Sequence, residues 1–205
     1  MADATLTFEG GTVGVEADGD LPVEDLPFVD PDPRSKTHRA PAFRYAALSD
    51  SLRAAGVAVD DRVLDAPDLP DLRSDYELRA YQADALAAWE GEDRETGSDA
   101  DPPRRPHRGV LELPTGSGKT VIGVKAIERL GVATLVVVPT LDLLDQWRRE
   151  LEAEFDVPVG QLGGGEQRVE PLTVATYDSA YLRADDVGDR FGLVIFDEVH
   201  HLGGE

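Results

Sequence analysis

Apolar residues along the chain follow two rhythms. In the first stretch, Leu6, Phe8, Val13 and Val15 alternate with polar neighbours on either side of Glu9-Gly10-Gly11, which predicts strands over 5–8 and 12–15 joined by a turn. Tyr45, Leu48, Leu52 and Ala55 recur at helical spacing, and Gly56 closes a helix predicted over 43–55. Val57, Val59, Val63 and Leu64 suggest one more strand. The Pro- and Asp-rich stretch 18–34 offers little regular structure, and the Pro-rich 66–70 reads as a linker. Residues 1–72 therefore read as a small α+β module.

From Tyr76 the rhythm changes. Leu78, Tyr81, Gln82, Ala85, Leu86 and Trp89 suit a helix, and the acidic, Gly- and Pro-containing 90–107 reads as a surface loop. Apolar runs at 109–113, 134–138, 172–176 and 193–196 then alternate with amphipathic stretches at 119–130 and 141–155 and a short one near 179–183. Continuous β-branched strands separated by helices predict a parallel sheet covered on both faces. The fold class is thus α/β over 73–205, preceded by the small α+β module.

The chemistry sits at two of the strand ends. Leu113-Pro-Thr115-Gly116-Ser117-Gly118-Lys119-Thr120 lies between a predicted strand and a predicted helix. Glycines let backbone N–H groups approach phosphates, the helix start adds its positive end, Lys119 reaches the outer phosphates, and the Thr120 hydroxyl suits Mg²⁺. Leu113 stands where the strict phosphate-loop pattern has glycine, and the Pro114-Thr115 form is that of helicase-type ATPases. Asp197 and Glu198 follow the last predicted strand, where an open parallel sheet holds its ligands. Asp197 suits Mg²⁺ through its water shell, and Glu198 suits the orientation or deprotonation of an attacking water. These are the parts of an ATP- and Mg²⁺-dependent enzyme. His200 and His201 are adjacent and lack a spaced partner, which weighs against a metal site of their own.

Composition narrows the class. Hydrophobic residues make up 41% of the 205, enough to bury a core, and no run is long and apolar enough to span a membrane. The absence of cysteine excludes disulfides, thiolate-ligated zinc and thiol catalysis. Met1-Ala-Asp-Ala-Thr5 lacks the features of a secretory leader, so a cytoplasmic location is expected. The net charge of −21 is spread along the chain, and lysine occurs only as Lys36, Lys119 and Lys125. That pattern suits an acidic surface adapted to high salt, where screening weakens self-repulsion. Net charge does not exclude nucleic acid, because a local cluster such as Arg34, Lys36, His38 and Arg39 can still meet phosphates.

Several segments together resemble the XPB-like DNA helicases of superfamily 2, particularly the archaeal form. They are Leu78-Arg-Ala-Tyr-Gln82, residues 113–120, Val136-Val-Val-Pro-Thr-Leu-Asp-Leu-Leu-Asp-Gln-Trp147, Val174-Ala-Thr-Tyr-Asp-Ser-Ala-Tyr181 and Phe196-Asp-Glu-Val-His-His-Leu202. Residues 33–45 resemble that family's damage-recognition module, and 90–107 stands as an insertion. The resemblance implies a RecA-like ATP-binding domain at 73–205 and a DNA-recognition module at 1–72. It implies that Gln82 reads adenine, with Arg79 or Tyr81 nearby, and that Thr140 and Thr176 touch the phosphate backbone of DNA. Helix capping or turn formation is the alternative for both threonines. Phe43 and Tyr45 suit either base stacking or core packing, and Trp147 suits core packing.

The expected function is therefore ATP-dependent DNA translocation in repair or transcription, with DNA as partner and a nuclease or transcription factor as a further one implied by the family. Set against the family, the sequence ends at the Asp197-Glu198 motif. A second RecA-like domain, in cis or in trans, is then expected to supply the arginines that stabilise the transferring phosphate. Two other readings stay open: a catalytically incomplete ATP- and DNA-binding fragment or split-gene subunit, and a restriction-type motor subunit.

Overall fold

The computed structural model describes residues 3–17, 26, 28–33, 37–67, 69–91, 109–114 and 116–200. It divides into two units, one of Met1–Pro67 with Tyr177–Gly192, the other of Asp68–Thr176 with Leu193–Glu205.

The first unit is built on a five-stranded sheet. β1 (Ala4–Glu9) and β2 (Thr12–Ala17) form the antiparallel hairpin expected around Gly10-Gly11. β3 (Asp30–Pro31) and β4 (His38–Pro41) extend it on the β2 side, β5 (Val59–Arg62) lies parallel to β1, and the order is β3-β4-β2-β1-β5. A 3₁₀ turn at Ala42–Arg44 leads into α1 (Tyr45–Ala54). Leu48 and Leu52 of α1 pack on Leu6, Val13, Val15 and Ala40, the alternating inward positions of the strands. The one strand suggested by the apolar positions at 57–59 and 63–64 forms between them, over Val59–Arg62. An edge strand has a hydrogen-bonding partner on one side only, so it accepts Asp60, Asp61 and Arg62 and runs through them. The Tyr45 hydroxyl donates to Asp61, and burial together with that bond pushes it well above the ordinary tyrosine range. Of the stretch 18–34, residues 18–25, 27 and 34 lie outside the described residues.

α5 (Tyr177–Val187) is longer than the short helix expected at 179–183, and with 188–192 it belongs to this first unit. Asp65 N–H donates to the Asp189 carbonyl at 2.8 Å, and the Phe8 ring lies where a side chain on Gly188 would stand.

In the second unit, β6 (Thr134–Val138), β9 (Leu172–Thr176) and β10 (Leu193–Phe196) form where the apolar runs predict them. A hairpin of β7 (Val159–Gly163) and β8 (Glu166–Arg168), turning at Gly164-Gly165, was not predicted. The order is β10-β6-β9-β7-β8, with the first four strands mutually parallel. All five residues of β6 are buried, as expected of a strand covered on both faces. α4 (Leu141–Glu154) presents Leu144, Trp147 and Leu151 at helical spacing to a core that also holds Val136, Val174 and Leu172. α3 (Lys119–Leu130) adds Val124 and Ile127 to that core, while Ile122 and Ala126 pack with Leu86 of α2 (Ala80–Glu90).

Two expectations need correction. Residues 109–113 form no strand; Val110 is 80% exposed, and β10, with Val194 and Phe196 exposed, is the edge of the sheet. Strand propensity measures fit to a pleated, half-buried neighbour, and no strand is paired to this segment among the described residues. The helix predicted from Leu78 begins instead at Ala80. Residues 69–79 are an extended strap: Ser74 Oγ donates to Glu154 (2.6 Å), Ser74 N–H to Glu128 (3.3 Å), Lys125 Nζ to the Ser74 carbonyl (3.2 Å), and the Tyr76 hydroxyl to Glu150 (2.5 Å). The last bond, followed by burial, pushes Tyr76 up to about 12. Beyond Gly91, the insertion at 90–107 lies outside the described residues.

Candidate functional site

Because β10, β6 and β9 run parallel, their carboxyl ends share one edge of the sheet. Phe196 pairs with Val137 and Val138 with Thr176, so Asp197, Thr140 and Thr176 emerge at the same level. Asp197 N–H continues the ladder to the Val137 carbonyl at 2.9 Å. This edge is where open α/β sheets hold ligands.

The loop before α3 reaches the same edge. Gly118 caps the helix with φ +79°, and a Cβ there would lie 2.6 Å from Gln82 Nε2, so only glycine fits. Gln82 itself is 3% exposed. Its amide nitrogen donates to the carbonyls of Ser117 (2.8 Å) and Gly118 (3.2 Å), and its oxygen accepts from Arg79 N–H (2.8 Å). The Tyr81 hydroxyl donates to the Ser117 carbonyl at 2.7 Å. Two side chains of α2 thus pin the loop through its backbone, and the Gln82 bonds seen here hold the loop in shape. Thr115 lies outside the described residues.

Lys119 is the first residue of α3, and its Nζ lies 3.9 Å from Glu198 Oε1. Thr120 follows, half-buried in the first turn. Glu198 takes φ +51°, the left-handed region that costs a non-glycine residue about 1–2 kcal/mol. Its N–H donates to Asp197 Oδ1 (2.9 Å), and His200 Nδ1 lies 3.3 Å from its Oε2. His201 lies outside the described residues. Trp147 Nε1 donates to Asp197 Oδ2 at 2.7 Å. Trp147 is buried, as core packing requires, but its bond to Asp197 had no signal in the pattern of apolar residues. The available hint was Gly123, a glycine inside a helical run.

The donor set fits a nucleotide phosphate with Mg²⁺. Glycines 116 and 118 take positive φ, and Ser117 Oγ is buried without a hydrogen-bond partner. The start of a helix 12 residues long carries Lys119 and Thr120, and the Glu198 carboxylate lies near Lys119, next to Asp197 in sequence.

The residues expected at DNA divide. Thr140 is exposed and serves as the N-cap of α4, its oxygen accepting from Leu143 N–H at 3.3 Å. Thr176 is half-buried at the end of β9. In the first unit, Tyr45 packs on the core while Phe43 is 72% exposed. The Arg44 guanidinium lies 4.1 Å from the ring centre of Phe28 and 5.0 Å from that of Phe43. In the basic cluster, Arg34 and Lys36 lie outside the described residues, and Arg39 is engaged by Glu9 and Asp32.

Two family models match the chain. Residues 75–205 match the family described as Type III restriction enzyme, res subunit, and residues 6–63 match the Xeroderma pigmentosum group B helicase damage recognition domain. The DNA 3'-5' translocase XPB2 of Sulfurisphaera tokodaii is 41% identical over 170 residues, 83% of this chain. The chain belongs to the XPB-like family. Another XPB-like relative, the DNA 3'-5' helicase XPB of Mycobacterium tuberculosis, is 35% identical over 106 residues, 46% of this chain. The chain spans 36% of the length of the first of these relatives and 19% of the second. The UvsW helicase of bacteriophage T4 superposes over 97% of this XPB-like chain and 83% of its own, at 15% identity and a TM-score of 0.46. Among the described residues no helix is long and apolar enough to cross a membrane.

Proposed function

We propose that this chain carries the DNA-recognition module (1–72) and the first ATP-binding domain (73–205) of an ATP-driven DNA helicase or translocase acting in repair or transcription. The observation that carries the reading is the meeting of Lys119 and Glu198, 3.9 Å apart, where the start of α3 faces the carboxyl end of β10. In this reading the backbone of 116–118 cradles phosphates, Lys119 neutralises their outer oxygens, and Thr120 and Asp197 hold Mg²⁺. Bound Mg²⁺ would supply Lewis acidity toward the terminal phosphate. Glu198 orients the attacking water and accepts its proton, with His200 beside it. Thr140 and Thr176, at the same sheet edge, are the candidates for DNA phosphate contacts, and Gln82 serves adenine from beside the loop it braces. A restriction-type motor is the weaker reading, because the match to the damage recognition domain favours the XPB-like branch.

A second RecA-like domain, in cis or in trans, completes the site by supplying arginines to the transferring phosphate, each worth on the order of 10³–10⁵ in rate. The 205 residues alone are therefore expected to show negligible DNA-stimulated ATP hydrolysis. A coupled phosphate-release assay with single-stranded DNA tests this. Robust stimulated turnover by the purified chain, abolished in Lys119→Ala, would overturn the division of labour.

A further inference from the structure

Two contacts of Trp147 belong together. It is 2% exposed, on the inward face of α4 between Leu144 and Leu151. At one end of the side chain, the indole N–H donates to Asp197 Oδ2 at 2.7 Å. At the other, the ring edge lies over Gly123 of α3, where an added Cβ would stand 2.7 Å from Cη2 and 3.5 Å from Cζ3. A single rigid side chain thus spans from the helix that begins with Lys119 and Thr120 to the carboxylate at the end of β10. Asp197 Oδ1 accepts from Glu198 N–H at 2.9 Å, so each oxygen of Asp197 has a protein donor. An indole is a donor only and cannot itself ligate a metal.

We propose that Trp147 is a positioning residue for the metal-holding carboxylate. It fixes the rotamer of Asp197 and ties that carboxylate to α3, so the two groups expected to share Mg²⁺, Asp197 and Thr120, keep their spacing. Gly123 is the complementary half of the device, because its missing side chain lets the ring bridge the two elements. The proposal rests on the Mg²⁺–ATP reading above. Groups that orient a metal-binding side chain typically change metal affinity about 10- to 100-fold when removed.

The test uses the 205-residue chain and the substitution Trp147→Phe, which keeps an aromatic side chain at this buried position and removes the N–H. ATP binding is titrated against Mg²⁺, with binding in EDTA and the thermal melt as parallel readouts. The Mg²⁺ concentration at half-maximal effect should rise about 10- to 100-fold, while ATP affinity in EDTA holds. A folded Trp147→Phe variant with an unshifted Mg²⁺ midpoint, beside normal wild-type binding, overturns the positioning role alone. Failure of the wild-type chain to bind Mg²⁺–ATP overturns the nucleotide reading and the role of Trp147 with it. A second readout needs no variant at Trp147. The chain has two tryptophans, so in Trp89→Phe the indole ¹H–¹⁵N signal of Trp147 stands alone. It should move when Mg²⁺ is added to the ATP complex and stay in place with ATP in EDTA. A signal indifferent to Mg²⁺ overturns the proposal even if Trp147→Phe fails to fold.

Discussion

Gly123→Ala sets two physical effects of opposite sign against each other. Gly123 lies inside α3, where alanine is favoured over glycine by about 1 kcal/mol. The added methyl group, however, would stand 2.7 Å from Trp147 Cη2 and 3.6 Å from Ile195 Cδ1. Carbon atoms settle at roughly 3.5–4.0 Å, so the ring would have to retreat by about 1 Å. Trp147 has little room to do so, being 2% exposed and bonded to Asp197 at 2.7 Å. Overpacking of this kind costs about 1–3 kcal/mol, and lengthening a bond to a carboxylate adds part of the roughly 1.5–3 kcal/mol such a bond contributes. The clash should therefore outweigh the propensity gain, leaving a net loss of about 1–2 kcal/mol. For a unit of this size that lowers the melting temperature by roughly 3–10 °C, measured by circular dichroism. In a Trp147→Leu background the same substitution should become neutral or stabilising, because the atoms it strikes are gone. A rise in melting temperature on adding Gly123→Ala to the wild type would refute the placement of Trp147 and the bridge built on it.

Gln82→Ala leaves the Ser117 and Gly118 carbonyls and the Arg79 N–H without their buried partner, and should lower stability in urea by about 1–3 kcal/mol while weakening ATP binding. Thr140→Ala removes the N-cap of α4 and should cost about 1 kcal/mol by chemical denaturation, whereas Thr140→Ser should retain most of it. Burial pushes the Glu128 carboxyl up, but the bonds from Lys125 and Ser74 N–H and the charges of Lys125 and Arg73 outweigh it and hold it below its ordinary value. Such a group stabilises the fold above its unfolded value of 4.5 and loses that contribution as pH falls through the lower folded value. Wild type should accordingly lose more stability than Glu128→Gln between about pH 5 and pH 3, and parallel pH profiles would contradict the assignment.

What was legible in the chain follows from which forces are local. Strands covered on both faces, such as 134–138, favour apolar and β-branched residues throughout, so β6 and β9 could be read to the residue, and the apolar run of the edge strand β10 marked it as well. The glycines, Lys119 and the Asp197-Glu198 pair stood out in the sequence because the proposed phosphate and Mg²⁺ chemistry would need those residue types together. Residues 109–113 misled because propensity is local, whereas a strand exists only through a paired neighbour. β5 was legible only in outline, because an edge strand tolerates the charges of Asp60, Asp61 and Arg62, and the bonds that hold Ser74 and Tyr76 to Glu128, Glu150 and Glu154, far off in sequence, had no local signal. The Trp147–Asp197 bond joins residues 50 apart, and no local pattern encodes such a pairing. Gln82 shows the same gap: the resemblance marks the residue, while its three bonds to the loop and helix start appear only in three dimensions.

The central claim is that the start of α3 and the end of β10 form a Mg²⁺–ATP site. Isothermal titration of ATP into the purified chain, with Mg²⁺ and with EDTA, beside Lys119→Ala, tests it most directly. The account predicts Mg²⁺-dependent binding by the wild type that is lost in Lys119→Ala without loss of fold. Binding undiminished in that variant would contradict it.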